Sequence, residues 1–179
     1  SIVRVVNVAG FTSRLGTGTF RTVGTSGAAG PSGVTWEGTV ELNASATSIQ
    51  TIAAGTYTNI IARTTTGAGS NIFSSTGTVS ISGTITAGTG TYTVTGSTVN
   101  YNGSGAQSLP ANITTYNNLT ISNAGTKTMN ANVQANGTLT IGHASATLAI
   151  NGNTLTLHGS SSMTGALPAS STSNSTKPG

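Results

Sequence analysis

Apolar residues recur along this chain at an almost fixed interval. Phe20, Val40, Ile60, Val79, Val99, Leu119 and Leu139 follow one another at steps of 20, 20, 19, 20, 20 and 20 residues, and Leu155 comes after a shorter step of 16. Most of them open an apolar-polar-apolar triplet, as in Val40-Glu41-Leu42, Val79-Ser80-Ile81, Val99-Asn100-Tyr101, Leu119-Thr120-Ile121, Leu139-Thr140-Ile141 and Leu155-Thr156-Leu157. Within a triplet the alternation is that of a strand with one face turned inward. β-branched and Thr-rich composition suits extended backbone. A second series, Ile52, Phe73, Val94, Ile113 and Val133, runs between these at the same period and ends at Leu148 and Ile150. Two apolar series sharing one period mean one structural unit per coil of about 20 residues.

Glycines punctuate the pattern at Gly77, Gly83, Gly96, Gly103, Gly125, Gly137 and Gly152. Their frequency argues against long helices. The pattern predicts an all-β fold, a parallel β-solenoid (β-helix) with coils stacked about 4.8 Å apart. Val40, Ile60, Val79, Val99, Leu119, Leu139 and Leu155 are then its core ladder. The rival is an antiparallel β-sandwich, whose strands would come about every 8–12 residues without a strict register.

A longer repeat overlies the short one. "TVELNASATSIQTIAAGTYTNI" (39–60) resembles "TVNYNGSGAQSLPANITTYNNL" (98–119), matching Tyr57 to Tyr116 and Gln50 to Gln107. "TYTVTGSTVNYNG" (91–103) likewise resembles "TLAINGNTLTLHG" (147–159). An offset of about 59 reads as three coils. The chain divides into an apolar N-terminal segment (1–19), a solenoid (20–168) carrying the 59-residue repeat as 39–97 and 98–157, and a Ser/Thr-rich tail (169–179).

The segment "SIVRVVNVAGF" is the most hydrophobic of the chain. Its Ile2, Val3, Val5, Val6, Val8 and Phe11 are either an inner first coil, a cap, or a strand donated to the next subunit, since an open solenoid edge templates further pairing. The tail composition is that of a linker. "GALP" (165–168) echoes "GAQSLP" (105–110), so an incomplete coil for a partner to finish is expected there.

Composition narrows the functions. Only 4% of the 179 residues are charged, against about 25% in ordinary domains. The net charge of +4 reflects missing acids, for Glu37 and Glu41 are the only two. Arg4, Arg14, Arg21, Arg63, Lys127 and Lys177 do not cluster as a nucleic-acid footprint would. A surface of Ser, Thr, Asn and Gly repels its neighbours weakly and favours self-association. No apolar run reaches the roughly 18–20 residues of a membrane span. A chain starting at Ser1 fits a processed, exported form.

Residues 98–160 carry a recognisable pattern: an Asn102-Gly103-x-Gly105-x-Gln107 turn, Tyr116-x-Asn118-Leu119-x-Ile121, Gly125-Thr126-Lys127-Thr128, and Gly137-Thr138-Leu139-x-Ile141. This resembles the secreted, adhesin-like β-helical surface repeat proteins of Bacteroidetes-type bacteria. Residues 39–81 match more loosely, without the Lys-Thr turn, and 1–35 do not match. The resemblance implies export to the cell surface and a β-helical build. Members are usually long chains of many copies, so a 179-residue member would gain length by assembly.

Candidate chemistry is sparse. Glu37 and Glu41 would lie about 13 Å apart on an extended strand, beyond the roughly 5–9.5 Å of glycosidase carboxylate pairs. His143 and His158 sit beside glycines at corners, and metal sites want three or more ligands. Glycine runs such as "GTGTF" and "GSGAQ" lack the Gly-Lys-Ser/Thr of a phosphate loop. Trp36, Tyr57, Tyr92, Tyr101 and Tyr116 are read as stacked core aromatics, with an exposed sugar-binding strip as the alternative. Six glycosylation sequons, at Asn43, Asn102, Asn112, Asn118, Asn136 and Asn174, are near chance for this composition.

No catalytic residue, metal or cofactor is expected. The leading expectation is a non-enzymatic extracellular structural protein that assembles end to end with itself into a surface filament. A cell-surface adhesin that contacts glycans is the alternative. Ice binding is a second one, drawn from Thr138/Thr140 and Thr154/Thr156 and weakened by the row Asn118/Thr120, Thr98/Asn100, Thr78/Ser80 and Thr39/Glu41, which decays toward the N-terminus.

Overall fold

The computed structural model describes residues 2–3, 13–22, 26–28, 31–43, 49–62 and 70–167. It is a parallel β-solenoid. Every strand pairing is parallel, and there is no helix among the described residues. That excludes the antiparallel sandwich. Successive coils are roughly 20 residues apart, and each crosses three faces.

The first face is the longest ladder. Strands Val34–Leu42, Gly55–Ala62, Thr78–Ile81, Thr98–Tyr101, Asn118–Ile121, Leu139–Ile141 and Ser161–Met163 follow one another in it. Its inward positions form two stacks. One runs Val34, Gly55, Val79, Val99, Leu119, Leu139, Ser161, and the other Trp36, Tyr57, Ile81, Tyr101, Ile121, Ile141, Met163. The repeated Leu-Thr-Ile triplets are therefore direct neighbours, Leu119 over Leu139. Trp36 and Tyr57 stack with ring centroids 6.5 Å apart, and Phe20 packs on Trp36 at 4.6 Å.

Strands Val34–Leu42 and Gly55–Ala62 bend onto the second face, with a register shift between Trp36 and Thr39. There Phe20, Val40, Ile60 and Ile85 form one stack. Further along, the second face is made by Gln107–Leu109, Gly125–Met129 and Ala146–Ala149. The third face consists of Ser26–Ala28, Ile49–Ile52, Ser70–Phe73 and Thr91–Thr93, then of Thr115–Tyr116, Val133–Ala135 and Leu155–Leu157. The interior is filled from all three faces by one apolar cluster.

Three expectations need correction. Val79 is not stacked on Ile60: it opposes Gly55, and Ile85 opposes Ile60. Leu155 lies on the third face against Val133, while Ser161 occupies the place beside Leu139. The seven core-ladder residues are all buried, but they belong to three stacks. The 59-residue offset is not three coils either. Tyr57 stands on the first face and Tyr116 on the third, so the repeat advances by about two and two-thirds coils. The coil linking Ile60 to Ile85 takes 25 residues rather than 20, which causes the slip.

Two glycines set coil corners. Gly125 has φ 88°, a left-handed conformation that side chains resist. A Cβ there would also lie 2.7 Å from the Gly105 carbonyl oxygen. At Gly159 the carbonyl of Gly137, one coil earlier, occupies the space a Cβ would need.

Candidate functional site

With the interior apolar, function must reside on the outward side chains and on the ends of the stacks. The first face turns one continuous outward row to solvent: Thr35, Thr56, Ser80, Asn100, Thr120, Thr140 and Ser162 are successive register partners. A parallel row, Thr78, Thr98, Asn118, joins it. Thr39 and Glu41 do not belong to this row, and Thr156 lies on the third face beside Gln134. The row therefore continues through Thr56 and Thr35 instead of decaying. Cross-coil side-chain bonds link its members, as from Asn100 Nδ2 to Ser80 Oγ at 3.4 Å.

The stacks end in an unfinished layer. Ser161–Met163 is the last strand of the first face, and its three side chains are exposed. Met163, which would be interior in any earlier coil, is 45% exposed. Leu139 N–H donates to Ser160 O at 3.0 Å and Thr164 N–H to Ile141 O at 2.7 Å. In a parallel ladder donors alternate between the two neighbours, so the N–H groups of Ser161 and Met163 face away from the chain's own strands. At the other end Ile2–Val3 pairs in parallel with Thr19–Phe20. Val5, Val6, Val8 and Phe11, expected at a subunit interface, lie outside the described residues, as does the tail 169–179.

The titratable groups do not converge. Glu37 is exposed and accepts from Gly16 N–H at 2.9 Å. Glu41 is buried and accepts from Arg21 Nε at 2.8 Å. His143 Nδ1 accepts from Ser145 N–H at 3.0 Å, and His158 is exposed on the next corner. No group of three His, Cys, Asp or Glu side chains gathers among the described residues. Trp36, Tyr57, Tyr101 and Tyr116 are buried and Tyr92 is partly so. One shallow groove of about 360 Å³ lies where Thr84–Thr86 and Ala106–Ser108 splay apart, and another of about 400 Å³ lies beside Thr115 and Gln134. Both are lined by short uncharged residues. No helix among the described residues is long and apolar enough to cross a membrane.

The sequence reading missed a set of buried polar staples. Lys127 points inward, and its Nζ donates to the carbonyls of Ala124 at 2.6 Å, Gly103 at 2.7 Å and Gly105 at 3.1 Å. Burial holds its ammonium below the ordinary lysine range. Gln107, its register partner one coil earlier, donates to Ile81 O and Gly83 O and accepts from Gly103 N–H. Asn112 Nδ2 reaches three carbonyls of the 87–90 corner. Each staple ties one coil to the corner below it. The signal was present: Lys127 stands two residues before buried Met129, at inward parity.

No family model, curated protein or solved structure matches this chain.

Proposed function

We propose that this chain is a non-enzymatic structural protein of the cell exterior, whose solenoid assembles head to tail into a surface filament. The observation that carries this reading is the unfinished layer at Ser161–Met163. There the inward stack from Trp36 to Ile141 ends in an exposed Met163, and an apolar edge with outward N–H groups is a template for another strand. Head-to-tail contacts of unlike surfaces build open filaments. The near absence of charge weakens repulsion between copies. The resemblance of residues 98–160 to secreted surface repeats supports the extracellular setting. Surface glycans are the second partner class this reading admits.

Electron microscopy of the purified protein, before and after dilution, tests the proposal. Filaments that persist on dilution are expected. Ser161→Pro removes only an outward donor, which edge strands tolerate, and Met163→Lys places a charge at the end of the stack. Both variants should stay folded and yield short rods. Rods alone from the unaltered protein would overturn the reading.

A second reading is favoured by the continuous row from Thr35 to Ser162. A flat, uncharged, regularly spaced hydroxyl array suits a lattice such as ice. Thermal hysteresis that Thr120→Lys abolishes would carry it.

A further inference from the structure

Asparagine followed by glycine is a labile pair, because a glycine nitrogen carries no neighbouring side chain to hinder its approach to the asparagine amide. The sequence has three such pairs: Asn102-Gly103, Asn136-Gly137 and Asn151-Gly152. The fold treats them differently.

Gly103 is buried, and its N–H donates to Gln107 Oε1 at 2.9 Å. Gly137 N–H donates across coils to Asn117 O at 2.7 Å, and Asn136 Oδ1 accepts from Gln134 Nε2 at 2.6 Å. In both pairs the attacking nitrogen is held by its own hydrogen bond. Asn151 and Gly152 are both exposed, on the turn that carries the chain from the second face to the third. Asn151 has φ 54° and Gly152 φ 76°, and the Gly152 N–H has no hydrogen-bond partner among the described residues. The turn is held from Asn153 instead: its N–H donates to Ile150 O at 3.1 Å and its Nδ2 to Met129 O at 3.1 Å.

We propose that Asn151 is a site of self-modification, at which the fold leaves one of three labile pairs able to react. Solvent hydroxide removes the Gly152 amide proton. The nitrogen attacks Asn151 Cγ; the N–Cγ bond forms, the Cγ–Nδ2 bond breaks, and ammonia leaves with a proton taken from water. A second water opens the resulting succinimide at either carbonyl, giving aspartate or isoaspartate. Water is the only co-reactant, and no electron transfer occurs. The product adds an acid to a chain that has two and lowers its formal net charge from +4 by one. The isoaspartate route also lengthens the backbone of the turn, while the Asn153 clamp holds it on either side.

Peptide mapping by mass spectrometry after prolonged incubation of the folded protein in mildly alkaline buffer tests this. Deamidation at Asn151 should run on the order of tenfold or more ahead of Asn102 and Asn136, where a hydrogen bond must first open. In denaturant the three rates should converge, which separates the effect of the fold from that of sequence. Gly152→Ala should slow the reaction at Asn151 in denaturant too. Equal rates at the three sites in the folded protein, or reaction at Asn102 or Asn136 ahead of Asn151, would overturn the proposal.

Discussion

Lys127 Nζ, inside the solenoid, donates to the backbone carbonyl of Gly103 one coil earlier at 2.7 Å. The same nitrogen serves Ala124 O at 2.6 Å. A Lys127→Met variant keeps the volume of the stem and strips both carbonyls of a donor. An unsatisfied buried acceptor costs about 1–3 kcal/mol, so a loss of about 2–4 kcal/mol is expected. A urea midpoint shift at unchanged slope measures it. An unchanged midpoint would mean that apolar packing replaces the staple without cost, as it does for some buried charges.

Leu139 is fully buried between Leu119 and Ser161 in its stack. Leu139→Ala should cost about 2–5 kcal/mol, the range for emptying a packed site. Because Leu119 is its direct neighbour, the double variant should depart from additivity by about 0.5 kcal/mol or more, as contacting residues do. Denaturation of the two single variants and the double variant provides the cycle.

These two sites differ in how far they could be read beforehand. The Leu119–Leu139 stack is legible because a strict 20-residue period can only mean coil over coil. The step from Ile60 to Val79 has the same length and a different meaning: Val79 sits on the first face and Ile60 on the second. All three faces carry the same apolar-polar alternation, so period alone does not tell one face from another. The Tyr57 and Tyr116 motifs are alike for the same reason, since each places an aromatic just before a corner, though not the same corner. The staples were opaque for another reason. Lys127 and Gln107 hold core positions in register with Leu148, and only the closeness of corner carbonyls makes a polar group acceptable there.

Tyr101 and Tyr116 share a buried hydrogen bond between hydroxyls 3.0 Å apart, their rings edge to face at 6.5 Å. Replacing either by Phe removes one partner and strands the other, at about 1–3 kcal/mol. Replacing both strands neither. The double variant should therefore be little worse than a single one, and possess clear positive coupling in a double-mutant cycle. Simple additivity would mean that the two hydroxyls do not depend on each other.

Alkaline titration brings the interior into one measurement. The chain has four tyrosines, and burial pushes the phenols of Tyr57, Tyr92, Tyr101 and Tyr116 above their ordinary 10.0. For Tyr92 a hydrogen bond with Asn71 opposes that rise in part. An unfolded chain releases these protons near pH 10 while the folded one keeps them. The folded state then binds more protons, and stability falls as pH climbs past about 10. Lys127 acts in the opposite sense, because burial lowers its ammonium from 10.5. There the unfolded chain binds the extra proton, so stability rises with pH up to about 10.4, the lysine value of an unfolded chain. One such group is set against four phenols, and the phenols should decide the outcome. Tyrosinate absorbance is expected to stay flat through the ordinary tyrosine range and then to appear in one step with the loss of the β-sheet circular dichroism. A gradual rise of absorbance near pH 10 with the β signal intact would show that the aromatic stacks admit water.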